Sequence, residues 1–287
     1  MSWLCRRPPG PFVATLDAAC PRMNFVCDLR DAIAREACFM GHYEPQETAV
    51  VRSLLEPGGC FVDVGANWGY FSLLGAGLVG PSGRVIAVEP HPALFASLAE
   101  NVRRNGLSQV TALRVAAADR NGRMNLVGFA GGGENSGLSR LTELPDSSAL
   151  NFDVQTRLLE ELLDERGVES VDLLKMDIEG GEGLVLPTLG GRLSSGRYRH
   201  ILLELHPEAL ERQGHSAAAL VAGLLEHGYR AWRIDHSREA FRRAAYRLPA
   251  SPESFLRPLD PQAPLADWPH LLFSAPGARL PAWARCS

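Results

Sequence analysis

The 287-residue chain is almost without lysine: among its 29 basic residues only Lys175 is one. Either a biased codon supply has turned surface lysines into arginines, or one position needs a compact ammonium that a planar guanidinium cannot replace. Long apolar runs are missing too. No stretch approaches the roughly 20 residues that cross a bilayer, so no membrane span is expected. Neither sign of charge dominates, with a net charge of −4 and a pI of about 6.1, which gives no electrostatic reason to bind nucleic acid. The six cysteines form no Cys-x-x-Cys pair and complete no zinc pattern with histidine. They are expected to be reduced thiols of a cytoplasmic protein. The first ten residues carry charge with no apolar run behind it and do not read as a secretory signal. Against these absences stands a hydrophobic fraction of 46%, too high for a disordered chain.

The pattern alternates. Short apolar runs bounded by glycine or proline predict strands at Cys60–Gly65, Arg84–Glu89, Val110–Ala116, Val171–Asp177, Arg199–Leu205, Tyr229–Ile234 and His270–Ser274. Between them, helices are expected at Gly69–Leu78, Pro92–Asn105, Thr156–Arg166, Gly183–Leu189 and Ser216–His227, and before them at Leu29–Phe39 and Gln46–Leu55. Strands alternating with helices imply an α/β fold: a doubly wound parallel sheet with helices on both faces. The segment 119–150, with a strand at Arg123–Phe129 and a glycine-rich stretch at 131–137, interrupts the alternation and reads as an insertion.

In such a sheet ligands bind beyond the carboxyl ends of the strands. The first strand runs into Asp63-Val-Gly65-Ala66-Asn67-Trp-Gly69. Gly65 lets backbone approach a ligand, and Gly69 lets the next helix start close to the strand. The dinucleotide fingerprint Gly-x-Gly-x-x-Gly is absent because Asn67 holds its middle position, which disfavours a pyrophosphate and suits a nucleoside without one. A carboxylate at Asp63 would repel phosphate and attract an ammonium. Glu89, closing the second strand, can accept both hydroxyls of a ribose, or can serve the free N–H groups of the next helix. After the third strand comes Ala116-Ala117-Ala118-Asp119, where small residues would let an adenine lie flat and Asp119 could accept from its amine.

These segments, with Tyr43-Glu-Pro-Gln-Glu47 upstream and Val171-Asp-Leu-Leu-Lys-Met-Asp-Ile-Glu-Gly180 and Leu202-Leu-Glu-Leu-His-Pro207 downstream, resemble the FkbM-type family of class I S-adenosylmethionine (SAM)-dependent methyltransferases. The resemblance covers about residues 41–275. It implies a Rossmann-like seven-stranded sheet whose last strand is antiparallel, SAM as methyl donor, and a hydroxyl acceptor on a sugar or natural product. It implies a SAM site lined by Asp63, Gly65, Asn67, Gly69, Glu89 and Asp119, with Glu47 reaching it from the preceding helix. The domain reading is an irregular or helical cap at 1–44, a methyltransferase domain at 45–277 with an insertion at about 120–155, and a tail at 278–287. One departure is the stretch Thr156-Arg-Leu-Leu-Glu160-Glu161, where the family commonly carries a paired aspartate.

Methyl transfer needs donor and acceptor held in line and a proton removed from the acceptor. Alternation along the fourth strand would put Lys175, Asp177 and Glu179 on one face, with Glu182 a short turn later. Asp177 is expected between donor and acceptor, orienting the hydroxyl or sharing in its deprotonation. Lys175 is either a buried ammonium fixing Asp177 or a base of depressed pKa. His206 is either the base or a cap on the next helix. A divalent metal among Asp177, Glu179, Glu182 and His206 is not demanded by their spacing, and none is expected. Two other readings keep the fold: an NAD-dependent oxidoreductase and a non-catalytic SAM-binding protein. Because Asn67 replaces the pyrophosphate glycine, NADH should leave the protein's fluorescence unchanged; saturable quenching would restore the dinucleotide reading.

Overall fold

The computed structural model describes residues 10–16, 22–128, 139–143, 149–246, 251–265 and 268–279. The glycine-rich stretch 131–137, expected to cover the acceptor, lies outside them. The chain opens with an antiparallel hairpin, β1 (Phe12–Leu16) and β2 (Met23–Cys27), followed by α1 (Ala32–Met40) and α2 (Pro45–Leu54). The α1 helix starts at Asp31, whose carboxylate accepts from the Ala34 N–H, and stops at Gly41 in the left-handed region. Among the described residues before 44, the helix expected near Leu29–Phe39 is present as α1, and a strand pair precedes it. These elements share the main core, since Phe25, Cys27 and Ala37 pack in one cluster with Leu73 and Phe61. Folding α1 back on β2 brings the Cys27 and Cys38 Cα atoms to 6.6 Å, and the two are joined by a disulfide. That corrects the expectation that the cysteines are all reduced; Cys60 is free.

The alternating region follows as β3 (Cys60–Val64), α3 (Tyr70–Val79), β4 (Arg84–Val88), α4 (Pro92–Arg104) and β5 (Val110–Leu113). Covered on both faces, β3 and β4 are buried at every position after their first rather than at alternate ones, and Asp63 is the one charged residue among those buried positions. The α4 helix begins on His91 with Pro92 in its first turn, and it buries Leu94, Leu98 and Asn101 at helical spacing. Asn101 is fully buried; its amide donates to the Trp68 carbonyl and its oxygen accepts from the Val26 N–H. One side chain thus ties the N-terminal hairpin to the loop after β3.

The insertion is a second sheet of β6 (Ala116–Ala117), β7 (Gly122–Gly128), β8 (Arg140–Thr142) and β9 (Leu150–Arg157), in the order β6-β9-β7-β8. Thr156 and Arg157, expected in a helix, end β9; the helix α5 (Leu159–Asp164) starts after them. Pairing of β9 with β7 along its whole length outweighs the local preference.

Then come β10 (Val171–Met176), α6 (Glu182–Val185), a 3-10 turn at Leu186–Leu189, α7 (Gly190–Ser194), β11 (Tyr198–Glu204), α8 (Pro207–Arg212) and α9 (Ala217–Glu226). The chain closes with β12 (Arg230–Ile234), α10 (Arg238–Tyr246), β13 (Leu256–Pro258) and β14 (His270–Ser274). The main sheet has eight strands ordered β13-β12-β14-β11-β10-β3-β4-β5. The implied seven-stranded sheet is corrected in count: the short edge strand β13 is added, and both β13 and β14 run antiparallel to their neighbours. A three-residue strand ending in proline carries no alternation to read.

The loop after β3 is held against the end of β10. The Asp177 N–H donates to the Val64 carbonyl, and a Cβ on Gly65, at φ +86°, would sit 1.9 Å from the Asp177 carbonyl oxygen. No side chain fits there. Gly65→Ala is expected to cost about 1–3 kcal/mol and to lower the melting temperature by roughly 3–10 °C; an unchanged melting temperature would show that this approach is not under constraint.

Candidate active site

The carboxyl ends of β3, β4, β10 and β11 open onto a cavity of about 240 Å³. Gly65, Asn67 and Glu89 form one side of it, and Asp177, Glu179 and His206 another. The sequence reading missed Tyr43, Glu204 and Trp268, which also line the wall. Asp63, Ala66, Gly69, Ala118, Asp119, Lys175, Glu182 and Glu47 do not line it; several of these support residues that do.

On the first side the Glu89 carboxylate accepts from the Asn67 N–H and the His91 N–H, each at 2.8 Å. A carboxylate has about four acceptor positions, so room remains for two hydroxyls. Burial pushes Glu89 up to about 7, against the pull of those two N–H groups. Its two proposed uses, ribose acceptor and helix-start carboxylate, are therefore compatible. Ala66 is held behind the wall by its N–H, which donates to the Val88 carbonyl at 3.0 Å. Gly69 starts α3 at φ +89°, where a Cβ would meet Leu98 at 2.6 Å. Asp63 lies beneath the loop, donated to by the Ser72 hydroxyl at 2.6 Å, while its Oδ1 is buried with no hydrogen-bond partner.

Of the stretch Ala116–Asp119, only the first half lines the cavity. Ala116 and Ala117 face the cavity, whereas Ala118 is buried behind it and Asp119 is exposed beside Arg120 at 3.3 Å. The break between β5 and β6 rotates the chain, which a continuous strand through Ala116 did not anticipate.

On the other side β10 ends at Met176, so Glu179 is not on the strand but in a turn at φ +54°, and this turn aims it at the cavity. Lys175 is buried, with Nζ 3.5 Å from Asp177 Oδ2 and 4.7 Å from the centre of the Phe71 ring. Burial opposes its charge, but Asp177, Glu44, Asp63 and Glu204 more than offset that and hold its pKa above the ordinary value. Of the two readings of Lys175, this favours the ammonium fixing Asp177 over the base of depressed pKa. Glu182 is fully buried and accepts from the Ile178 N–H at 2.9 Å, holding the turn rather than facing an acceptor.

His206 stands at the start of α8 but makes no side-chain cap. Its Nε2 lies 3.3 Å from Glu179 and 3.6 Å from Glu204, and its Nδ1 is 3.7 Å from Glu182. Burial alone would discharge it; Glu182, Glu179 and Asp177 overcome this and push it up to about 9. Of the two readings, base or helix cap, the raised pKa disfavours the base and the missing side-chain cap the other. Glu204 is driven well above the ordinary carboxylate range by burial and by Asp177. Glu47 does not reach the cavity: its Oε1 lies 2.7 Å from His236 Nε2 and 2.9 Å from His270 Nδ1. The motif Tyr43-Glu-Pro-Gln-Glu47 did carry a signal for Glu44, which adopts φ +43° before Pro45 and lies within reach of Asp177 and Glu204.

The raised pKa of His206 has a sign. Its contribution to stability is full below about pH 6.5, its ordinary value, and is lost as pH rises through about 9. Melting temperatures between pH 7 and 9.5 should fall for the native protein and fall less for His206→Gln; parallel curves would contradict the assignment.

Comparison with known proteins gives this geometry a family. Residues 63–231, more than half the chain, match the methyltransferase FkbM domain. The chain is 30% identical over 172 residues to 2-O-methyltransferase NoeI of Sinorhizobium fredii, covering 56% of this chain and 69% of that one. It is 30% identical over 177 residues to the 31-O-demethyl-FK506 methyltransferase FkbM of Streptomyces tacrolimicus, covering 53% and 67%. A solved FkbM methyltransferase of Methylobacillus flagellatus aligns with a TM-score of 0.46 at 17% identity, over 84% of this chain and 52% of its own. No helix among the described residues is long and apolar enough to cross a membrane. The chain belongs to the FkbM family of methyltransferases, whose methyl donor is S-adenosylmethionine.

Proposed function

We propose that the protein O-methylates a hydroxyl on a sugar or small natural product by in-line displacement. The observation that carries this reading is the two-sided wall of one cavity: a nucleoside-accepting side at Glu89 faces a carboxylate-rich side at Asp177. The names of NoeI, a 2-O-methyltransferase, and of the Streptomyces enzyme, which acts on 31-O-demethyl-FK506, support it. The residues present fit SAM. Glu89 keeps acceptor capacity for ribose, Ala116 and Ala117 offer a flat face to adenine, and Asn67 leaves no pyrophosphate cradle. When bound, SAM supplies a methyl group on a sulfonium, and no covalent bond to the protein is required.

The remaining work belongs to the chain. Gly65 and the Asp177 carbonyl set the separation between donor loop and acceptor wall. The Asp177 carboxylate, oriented by Lys175, accepts the hydrogen bond of the acceptor hydroxyl and so fixes the attacking oxygen. His206, as a cation, holds Glu179 in place and takes no proton. Tyr43 and Trp268 give the wall apolar surface, and Trp268 is 61% exposed at its rim. Proton removal is assigned to the carboxylates, and first to Asp177, the lining residue that directly follows β10.

Calorimetry with S-adenosylhomocysteine, together with tritiated methyl transfer, tests this. Glu89→Ala should weaken binding by about 10- to 100-fold, as loss of hydrogen bonds to a charged group does. Asp177→Asn should bind S-adenosylhomocysteine as the native protein does and lose methyl transfer. Equal binding by Glu89→Ala would sink the donor assignment, and full turnover by Asp177→Asn the acceptor assignment. Failure of the native protein to label any sugar or natural-product acceptor would favour a non-catalytic SAM-binding protein.

A further inference from the structure

We propose that Glu47, His236 and His270 form a binding site for one divalent transition-metal ion, placed behind the acceptor wall. The three residues come from separate parts of the chain: the first turn of α2, the segment just after β12, and the first position of β14. Their meeting is built into the fold. The β12 and β14 strands pair in register with Arg233 opposite Leu271, so the two histidines emerge from neighbouring strands at one end of the sheet. The Gln46 amide donates to the Asp235 carbonyl at 3.3 Å, which brings α2 against the segment that carries His236.

The donor atoms converge. One oxygen of Glu47 lies 2.7 Å from His236 Nε2 and 2.9 Å from His270 Nδ1. Atoms bound to one ion at bonds of about 2.1 Å stand about 3.0 Å apart in octahedral and about 3.4 Å in tetrahedral geometry, so movements of about half an ångström would seat an ion. The imidazole rings stack 4.0 Å apart at 28°, so a ring rotation would turn both nitrogens toward one ion.

Two further observations point to a ligand rather than to packing alone. Glu47 is 1% exposed, and its second oxygen is buried with no hydrogen-bond partner. A buried carboxylate oxygen left without a donor is costly, and a cation answers it. His270 also has a carboxylate on its far side, with Glu204 Oε1 3.5 Å from Nε2. A carboxylate behind a histidine is the arrangement that orients a metal-binding imidazole. His236, whose side chain is 37% exposed, leaves solvent a way in and open coordination positions.

Two imidazoles and one carboxylate suit the ions from manganese to zinc better than magnesium or calcium, which prefer oxygen alone. Bound there, an ion would fix His270 and through it Glu204, which lines the cavity. The site is separate from the Asp177, Glu179 and His206 group, the other histidine-containing cluster among the described residues.

The test uses the full chain stripped with EDTA and given Mn2+, Co2+ or Zn2+ singly. Calorimetry should show one equivalent bound, and Co2+ should develop a ligand-field spectrum. His236→Gln, at the half-exposed position where folding is least at risk, should weaken binding by more than about 100-fold. Glu204→Gln should weaken it by about 10-fold or more. Asp177→Asn should bind the ion as the native protein does. Absence of one-to-one binding by the folded native protein overturns the proposal and leaves an ion pair between Glu47 and the two histidines. Binding that survives His236→Gln but is lost in Asp177→Asn overturns it in favour of the other cluster. Neither outcome depends on methyl transfer, so this proposal and the catalytic reading fail separately.

Discussion

Lys175 is the charge on which the acceptor side of the cavity depends. Its ammonium sits at the end of β10, 3.5 Å from Asp177, and the sheet register sets it beside Asp63 on β3. Glu44 and Glu204 feel the same charge. Buried carboxylates crowd one another upward in pKa unless a cation compensates them, and no other lysine exists in the chain to do so. Removing such a cation leaves uncompensated buried charge, a loss typically of about 3–5 kcal/mol. A three-donor point charge fits among several carboxylates where a planar fork would satisfy only one or two.

Backbone strain gathers around the same place. The described non-glycine residues with positive φ are Glu44, Asn67, Glu179 and Trp268. Asn67, Glu179 and Trp268 line the cavity, and Glu44 follows the lining residue Tyr43. Such conformations cost about 1–3 kcal/mol each and persist where surrounding contacts over-determine them. Here the contacts are visible: Glu89 holds the Asn67 N–H, Pro45 follows Glu44, and the Glu182 carboxylate pins the turn carrying Glu179. Donor loop and acceptor turn are each fixed by an acid that is not itself the reacting group, and the upstream helix starts on a proline.

Legibility in the sequence followed the range of the interaction. The strand His270–Ser274 and the loop from Asp63 to Gly69 could be read because an apolar run and glycine spacing are local signals. Gly65, Asn67, Glu89, Asp177 and His206 accordingly reached the cavity. Where the chain turns within a few residues, reading was partial: the break after β5 carried Ala116 and Ala117 to the wall and left Ala118 and Asp119 off it. The end of β9 was read as helix because its pairing with β7 is a long-range fact. His236 and His270 meet Glu47 across nearly the whole chain, and no spacing announces it. Charge states were the least legible of all. Lys175 and His206 each carried two readings in the sequence, and the carboxylates assembled around them, which raise both pKa values, favour the cation for both.

The lone lysine makes the central claim directly measurable, because selective 15N and 13C labelling of lysine gives a single side-chain resonance. Titrated by NMR in the folded protein, Lys175 should remain an ammonium through its ordinary value near pH 10.5, with no titration step at neutral pH. A step near pH 7–8 would contradict the account, making Lys175 a depressed-pKa base and taking from the acceptor wall the cation that holds it together.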